Sequence, residues 1–400
     1  MSDTPFDVIV YGATGFTGRQ AARYLDRNAP PSLRWAIAGR SPQKLDDLAG
    51  QLSDVGGVVV ADSKAPETIR EMVQQARVVL TTVGPYALYG EPVLAACAEA
   101  GVDYVDITGE SLWVRQMIDR HDAAAKASGA RIIPFCGYDS VPSDLGTWMM
   151  VQALKERGET ARRVKGFFIG KGGFNGGTLL SALHLLEEAD VETLRDPFLL
   201  NPDGRTPDNA AEHTDWLLPK KDPDLGRWAA PFVMAPVNTR VVRRSAALAE
   251  MWGAPYGPSF VYEEAMGPLN ASTAFSVTAA LGAMVVGGQL KVLRDLARRY
   301  GPSAGEGPSE ETMDNGFTRV RLYAEGDRGR RLRGLIHANG DPGNRFTVLT
   351  LCESALALAL QRDALPGGAE RTGILTPAMG LGGVLLDRLK DAGVTITVNG

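Results

Sequence analysis

Val8-Ile9-Val10-Tyr11-Gly12-Ala13-Thr14-Gly15-Phe16-Thr17-Gly18 begins as an apolar strand and passes, through three glycines spaced three apart, into the helix-forming residues 19–27. A strand-to-helix turn of this composition suits a pyrophosphate. The first glycine permits the tight turn, the second lets backbone approach the anion, and the third lets helix pack on strand. Free N–H groups and the positive end of the helix dipole then face the phosphates. The spacing is G-x-x-G-x-x-G, which differs from the common G-x-G-x-x-G. Thr14, Phe16 and Thr17 join Gly12, Gly15 and Gly18 as candidate cofactor contacts.

Outward from this turn, β-branched runs at 8–11, 35–38, 58–61, 78–83, 104–107 and 131–135 alternate with segments of helical spacing. That rhythm predicts a Rossmann-like, doubly wound parallel α/β sheet over residues 1–141. Over 142–343 the pattern shifts to longer helices (142–157, 178–189, 272–300) mixed with alternating strands. A hairpin is expected around Glu325-Gly326-Asp327-Arg328-Gly329, so this part reads as a second, α+β domain. Residues 201–225, rich in Pro, Asp and Asn, read as a surface loop or lid. In the last part, 344–400, an apolar helix at 346–361 and a strand at 394–398 are both expected to return to the first domain.

The 400 residues, 44% hydrophobic and 22% charged, exceed one comfortable core. With 42 Lys plus Arg against 47 Asp plus Glu, the net charge of −5 gives no basic excess for nucleic acid. Cys97, Cys136 and Cys352 are far apart and odd in number, which fits buried thiols in a reducing compartment. The amino terminus has neither the basic nor the apolar region of a leader, so a cytoplasmic protein is expected. The longest apolar stretch, 274–288, falls short of the roughly 20 residues that span a bilayer, leaving peripheral membrane contact as the expectation. None of His121, His184, His213 and His337 has a metal-ligand neighbour, and no metal is expected.

Where the second strand ends, Gly39-Arg40-Ser41 carries no carboxylate for a ribose 2′-hydroxyl. Arg40, with Ser41 beside it and Lys44 one turn on, matches a 2′-phosphate, so NADP(H) is the expected cofactor. Alternatively Ser41-Pro42 caps the next helix and Arg40 is a solvated charge. Asp62 is placed to meet the adenine amino group or to start a helix. Thr82, Val83, Gly84, Pro85 and Tyr86 leave the fourth strand beside the expected nicotinamide ribose, or form an ordinary turn. The fifth and sixth strands end in Asp106-Ile107-Thr108-Gly109-Glu110 and in Phe135-Cys136-Gly137-Tyr138-Asp139-Ser140, on the same sheet edge. Tyr138, Asp139 and Ser140 are therefore the catalytic candidates, with Glu110 close by. Ser143 reads equally as a helix cap.

The motifs G-A-T-G-F-T-G, A-G-R-S, T-V-G-P-Y, Y-V-D-I-T-G-E, P-F-C-G-Y-D-S-V-P-S-D-L-G, F-N-G-G-T, G-D-P-G and T-P-A-M-G together resemble the saccharopine dehydrogenase-like oxidoreductases, and within them the trans-acting enoyl reductase group. The resemblance covers essentially the whole chain. It implies NADPH in the first domain, a second domain that supports a homodimer, and reduction of double bonds on carrier-bound acyl chains of a partner polyketide synthase. Two other readings stand beside it. One is C=N chemistry on an amino-acid conjugate, for which Arg131, Lys165, Lys171 and Arg240 are scattered without a uniting motif; the other is a non-catalytic, lipid-associated protein that keeps the dinucleotide fold.

Overall fold

The computed structural model describes residues 4–173, 196–202, 205–291, 294–295 and 305–400. Two seven-stranded sheets organise them. The strands are β1 (Phe6–Tyr11), β2 (Trp35–Gly39), β3 (Val58–Val60), β4 (Ala76–Thr81), β5 (Asp103–Val105), β6 (Arg131–Ile133), β7 (Ala161–Lys171), β8 (Lys220–Asp222), β9 (Arg227–Ala230), β10 (Val261–Leu269), β11 (Phe317–Gly326), β12 (Arg331–Asn339), β13 (Gly373–Ile374) and β14 (Thr395–Asn399). The helices are α1 (Phe16–Asn28), α2 (Pro42–Ala49), α3 (Pro66–Val73), α4 (Tyr86–Tyr89), α5 (Glu91–Ala100), α6 (Ser111–Ser128), α7 (Val141–Glu156), α8 (Ala235–Met251), α9 (Ala271–Gln289), α10 (Glu310–Asp314), α11 (Thr347–Leu360), α12 (Pro377–Gly380) and α13 (Gly382–Asp391).

The first sheet is parallel, in the order β13-β6-β5-β4-β1-β2-β3. Its inner strands are apolar without alternation because both faces are covered. Val8 and Val10 pack with Ile37, Leu80 and side chains of α1, α2 and α11. Ile9 and Tyr11 pack on the other face with Ala36, Val79 and side chains of α3, α5 and α6. Each such fully buried Val, Ile or Leu contributes about 1.5–3 kcal/mol. The chain order reverses between β1 and β4, and that is where an open α/β sheet has its crevice.

The second sheet runs β14-β12-β11-β7-β10-β9-β8, with β10 parallel to β7 and the other pairs antiparallel. The alternating burial of β11 marks one face on the core and one toward solvent. The hairpin forms with Phe317 opposite Asn339 and Glu325 opposite Arg331. One hydrophobic cluster runs from Val8 and Leu80 through Leu145 and Met150 of α7 to Leu322 and Ile336.

Three expectations change. The last strand does not return to the first sheet: β14 pairs with β12, Ile396 opposite Ile336. Its alternating Thr-Ile-Thr-Val-Asn suits an edge with one wet face, while β13 takes the edge position next to β6. α11 packs on β1, β4, β5 and α1 of the first sheet. Residues 201–225 are not only a surface loop. They include edge strand β8 and the buried Trp216 and Asp222, and the Asp222 carboxylate accepts from Lys165 Nζ at 2.6 Å. The apolar stretch extends to the 19-residue α9, longer than read from 274–288, and ends at Gln289. The helix expected at 178–189, His184, the F-N-G-G-T motif and the end of 272–300 lie outside the described residues. The three cysteines are free and buried.

Candidate functional site

At the turn after β1, Gly12 has φ of 86°, and a Cβ there would stand 2.7 Å from Val83 Cγ2. A Cβ on Gly18 would meet the Gly12 carbonyl oxygen at 2.1 Å, so the third glycine is what lets α1 lie directly on the turn. Gly15 precedes α1 without a side-chain cap, and the first helical turn has no acidic residue. The N–H groups of Thr14, Phe16, Thr17 and Gly18 have no acceptor among the described residues. An uncapped helix start with converging free donors fits the pyrophosphate expected there. Phe16 turns its ring onto a second segment: a Cβ on Gly307 would lie 2.4 Å from that ring, and Arg19 donates to Gly305 O at 3.4 Å. Neither contact was legible from sequence spacing.

At the end of β2, Arg40 and Lys44 are exposed and have neither a hydrogen bond nor an ion pair among the described residues. Ser41 occupies the N-cap position of α2 with Pro42 behind it, but its hydroxyl makes no capping bond. Helix start and free hydroxyl therefore coexist. Thr14 Oγ1 is 3.8 Å from where a Gly39 Cβ would be, which puts the end of β2 against the glycine turn. Burial raises the pKa of Tyr11; nearby Asp62 adds to this and nearby Arg40 opposes it. The Tyr11 hydroxyl pairs with Ser63 Oγ at 2.8 Å. Asp62 Oδ1 accepts from the Lys64 N–H at 3.0 Å, while Oδ2 has no partner among the described residues. These groups line one side of the crevice.

The other side is the exit of β4. Thr82 donates to Gly12 O at 3.4 Å, and the Val83 N–H donates to Thr81 Oγ1 at 3.2 Å. Tyr86 is buried below the loop rather than facing the crevice: its hydroxyl donates to Thr81 O at 3.2 Å and accepts from the Ile107 N–H at 3.3 Å. Glu110 accepts from the N–H groups of Tyr86 at 3.0 Å and Ala87 at 2.8 Å. It thereby fixes Gly84 and Pro85 from beneath instead of meeting substrate. Asp106 ties the ends of β5 and β6, accepting from the Thr108 and Phe135 N–H groups at 3.0 and 3.1 Å and from Tyr104 Oη at 2.8 Å. Burial pushes its pKa up to about 7 against these bonds. Phe135, with φ of 66°, is the single non-glycine residue at positive φ among the described residues, a strained turn at this same edge.

Beyond that edge Tyr138 is ringed by Phe168, Phe232 and Phe346 at 6.1, 6.4 and 6.1 Å between centroids, each edge-on. Phe168 and Phe232 stack at 4.7 Å. Met234 reaches Gly109, its Cε 3.5 Å from the position of a Cβ there. The Tyr138 N–H donates to Thr347 Oγ1 at 3.2 Å, and burial with nearby Asp139 and Glu264 raises the pKa of its hydroxyl and keeps it neutral. Asp139 is half-buried and likewise unpartnered among the described residues; burial pushes it up to about 6. Ser140 is fully buried and donates to Asn238 Oδ1 at 3.1 Å, so it points into the interface between the sheets and not to the crevice. Asn238 and Ser143 both donate to Glu264, at 2.8 and 2.7 Å, which makes Ser143 a network donor. The aromatic wall and Glu264 escaped the sequence reading because residues 168, 232, 264 and 346 share no motif or period.

The edge thus joins an anion cradle, a cation-lined end and an apolar cluster that holds the Tyr138 hydroxyl beside the Asp139 carboxyl. Residues 8–133 match the saccharopine dehydrogenase NADP binding domain. A protein of Mycobacterium tuberculosis H37Rv, Rv2449c, is 40% identical over 99% of this chain and 98% of its own length. A protein of Mycobacterium bovis BCG named trans-acting enoyl reductase is 38% identical over 99% and 98%. The saccharopine dehydrogenase of Saccharomyces cerevisiae shares the fold, with a TM-score of 0.53 at 12% identity over 98% of this chain and 99% of that one. This chain is accordingly an oxidoreductase that belongs to the saccharopine dehydrogenase family, with an NADP-binding Rossmann-like domain and relatives named trans-acting enoyl reductases.

Proposed function

We propose that this protein is an NADPH-dependent reductase of an activated C=C bond, its substrate the enoyl thioester of a polyketide or lipid chain presented by a partner synthase. The observation that carries the reading is the apolar wall of Phe168, Phe232 and Phe346 around Tyr138, with the unpartnered Asp139 carboxyl next to it. These rings are buried in the core, so they keep water from the Tyr138 hydroxyl. Three of the four cations considered for C=N chemistry on an amino-acid conjugate are engaged elsewhere, and the fourth, Lys171, is exposed at the end of β7. Arg131 donates to Gly380 O and Gly368 O, Lys165 to Asp222, and Arg240 to Asp215.

In this reading, the free N–H groups of Thr14, Phe16, Thr17 and Gly18 hold the pyrophosphate. Arg40, Ser41 and Lys44 hold the 2′-phosphate, Asp62 meets the adenine, and Thr82, Val83, Gly84 and Pro85 flank the ribose. Bound NADPH supplies a hydride. Tyr138, neutral across the working pH range, donates its hydroxyl hydrogen bond to the thioester oxygen as negative charge develops there. Asp139, with a pKa near the working pH, passes its proton to the adjacent carbon. Ser140 and Asn238 position this turn through the buried network. NADPH oxidation followed against enoyl thioesters and imines tests the proposal. Turnover restricted to enoyl thioesters is expected; tight NADPH binding without turnover on any enoyl substrate would reject it.

A further inference from the structure

α9 carries no charged residue over Ala271–Gln289. Its mean hydropathy over Ala271–Gly288 is 1.4, yet only 6% of that stretch is buried. A core helix of this composition would be covered, and a leader would stand at the amino terminus; α9 is uncovered and follows β10. Met284, Val285 and Val286 are consecutive and each more than half exposed. At about 100° per residue they open roughly 200° of the helix circumference to solvent. One side of α9 rests on β9 and the open side, about half of its circumference, is apolar, so the charge that borders the helix decides what covers it.

Topology and charge define the mode. β7 before α9 and β11 after it are paired in register from Phe317 opposite Lys171 to Glu325 opposite Arg163. The chain on both sides of α9 therefore stays on one side of any membrane, and a single crossing is impossible. α9 packs on β9, with Phe275 and Trp228 at 5.6 Å between ring centroids. The adjoining hairpin exposes Lys220, Lys221 and Arg227, and just before it stand Leu217 and Leu218, 76% and 72% exposed. Lys291 follows the helix, exposed, and Arg294 donates to Gly288 O at 2.8 Å. Of the acidic groups at this edge, Asp222 and Asp224 are bound to Lys165, and Asp295 adjoins Arg294. An apolar helix bordered by basic residues is complementary to anionic headgroups over an acyl interior.

We propose that α9 and the β8–β9 hairpin dock this protein from one side onto an anionic lipid surface. α9 sinks among the acyl chains, and Lys220, Lys221, Arg227 and Lys291 meet the headgroups. The proposal stands independently of the reaction catalysed. The test is co-sedimentation of the full chain with vesicles of phosphatidylcholine, with and without phosphatidylglycerol, and NADPH binding serves as the control for an intact fold. Binding to the phosphatidylglycerol vesicles is expected and is weakened by salt. The paired change Val285→Glu and Val286→Glu lowers it roughly a hundredfold, and Lys220→Glu with Lys221→Glu lowers it about tenfold or more, with NADPH affinity retained. Should those variants not fold, Phe275→Trp supplies a second readout, its added fluorescence quenched by brominated lipid in the acyl region. Failure of the unmodified chain to sediment, indifference to Val285→Glu/Val286→Glu, or absence of quenching would overturn the proposal. So would a dimer that the same pair dissociates while vesicle binding is nil, since a second copy would then cover α9.

Discussion

Arg40→Ala separates cofactor recognition from stability. Arg40 is exposed and makes no hydrogen bond or ion pair among the described residues, so its loss changes folding stability by no more than about 0.5 kcal/mol. If its guanidinium meets the 2′-phosphate, the variant loses a hydrogen bond between charged groups, about 1.5–3 kcal/mol. At about 1.4 kcal/mol per tenfold, that is a rise of roughly 10- to 150-fold in the NADPH dissociation constant. NADH has no phosphate there, so its affinity stays within about twofold. Fluorescence titration with each nucleotide, beside a thermal melt, measures all three quantities. An equal loss for both nucleotides, or none for either, refutes the 2′-phosphate role; a large drop in melting temperature refutes the claim that Arg40 is free of structural duty.

Asp139→Asn is expected to lower turnover by roughly 10²- to 10⁴-fold and to remove a limb of the pH–rate profile on which wild-type activity falls as pH rises through about 6; a profile unchanged in shape would exclude Asp139 as the proton donor. The same carboxyl is raised above its unfolded value, so its contribution to stability is complete below about pH 4 and is lost as pH climbs through about 6. The Asn variant should therefore melt higher than wild type at pH 8, by about 1–2 kcal/mol after allowing for the exposed part of the group, and equal melting would contradict the burial argument. Gly18→Ala places a Cβ 2.1 Å from the Gly12 carbonyl, which α1 relieves only by lifting off the turn; a loss of about 1–3 kcal/mol in denaturant titration and failure to bind NADPH are expected. Glu110→Gln keeps one acceptor for the Tyr86 and Ala87 N–H groups and loses the charge at the α4 start. About 1 kcal/mol of stability and a severalfold rise in the NADPH dissociation constant should follow, read by calorimetry, and no change in either would show that the loop holds itself.

The glycine turn, the six parallel strands over the first part of the chain and the absence of a carboxylate at Arg40 were all present in one dimension, because each depends on neighbours within a few residues. A tight turn needs small residues at fixed spacing, and strands covered on both faces read as apolar runs. The order of the two sheets, the pairing of β14 with β12 and the place of β13 depend on which edges remain open once both sheets exist. Tertiary structure alone decided which of the polar groups near residues 106–144 face the crevice. Glu110 and Ser140 sit in the same motifs as Asp139, yet backbone N–H groups and Asn238 claim them, whereas Asp139 finds no partner among the described residues. The wall around Tyr138 is drawn from residues 168, 232 and 346, separated by loops and strands of the second sheet, and only packing brings them together. The sequence likewise marked α9 as apolar but left its covering open; that it stands uncovered follows from its position outside the core, on β9, where no described element lies over it.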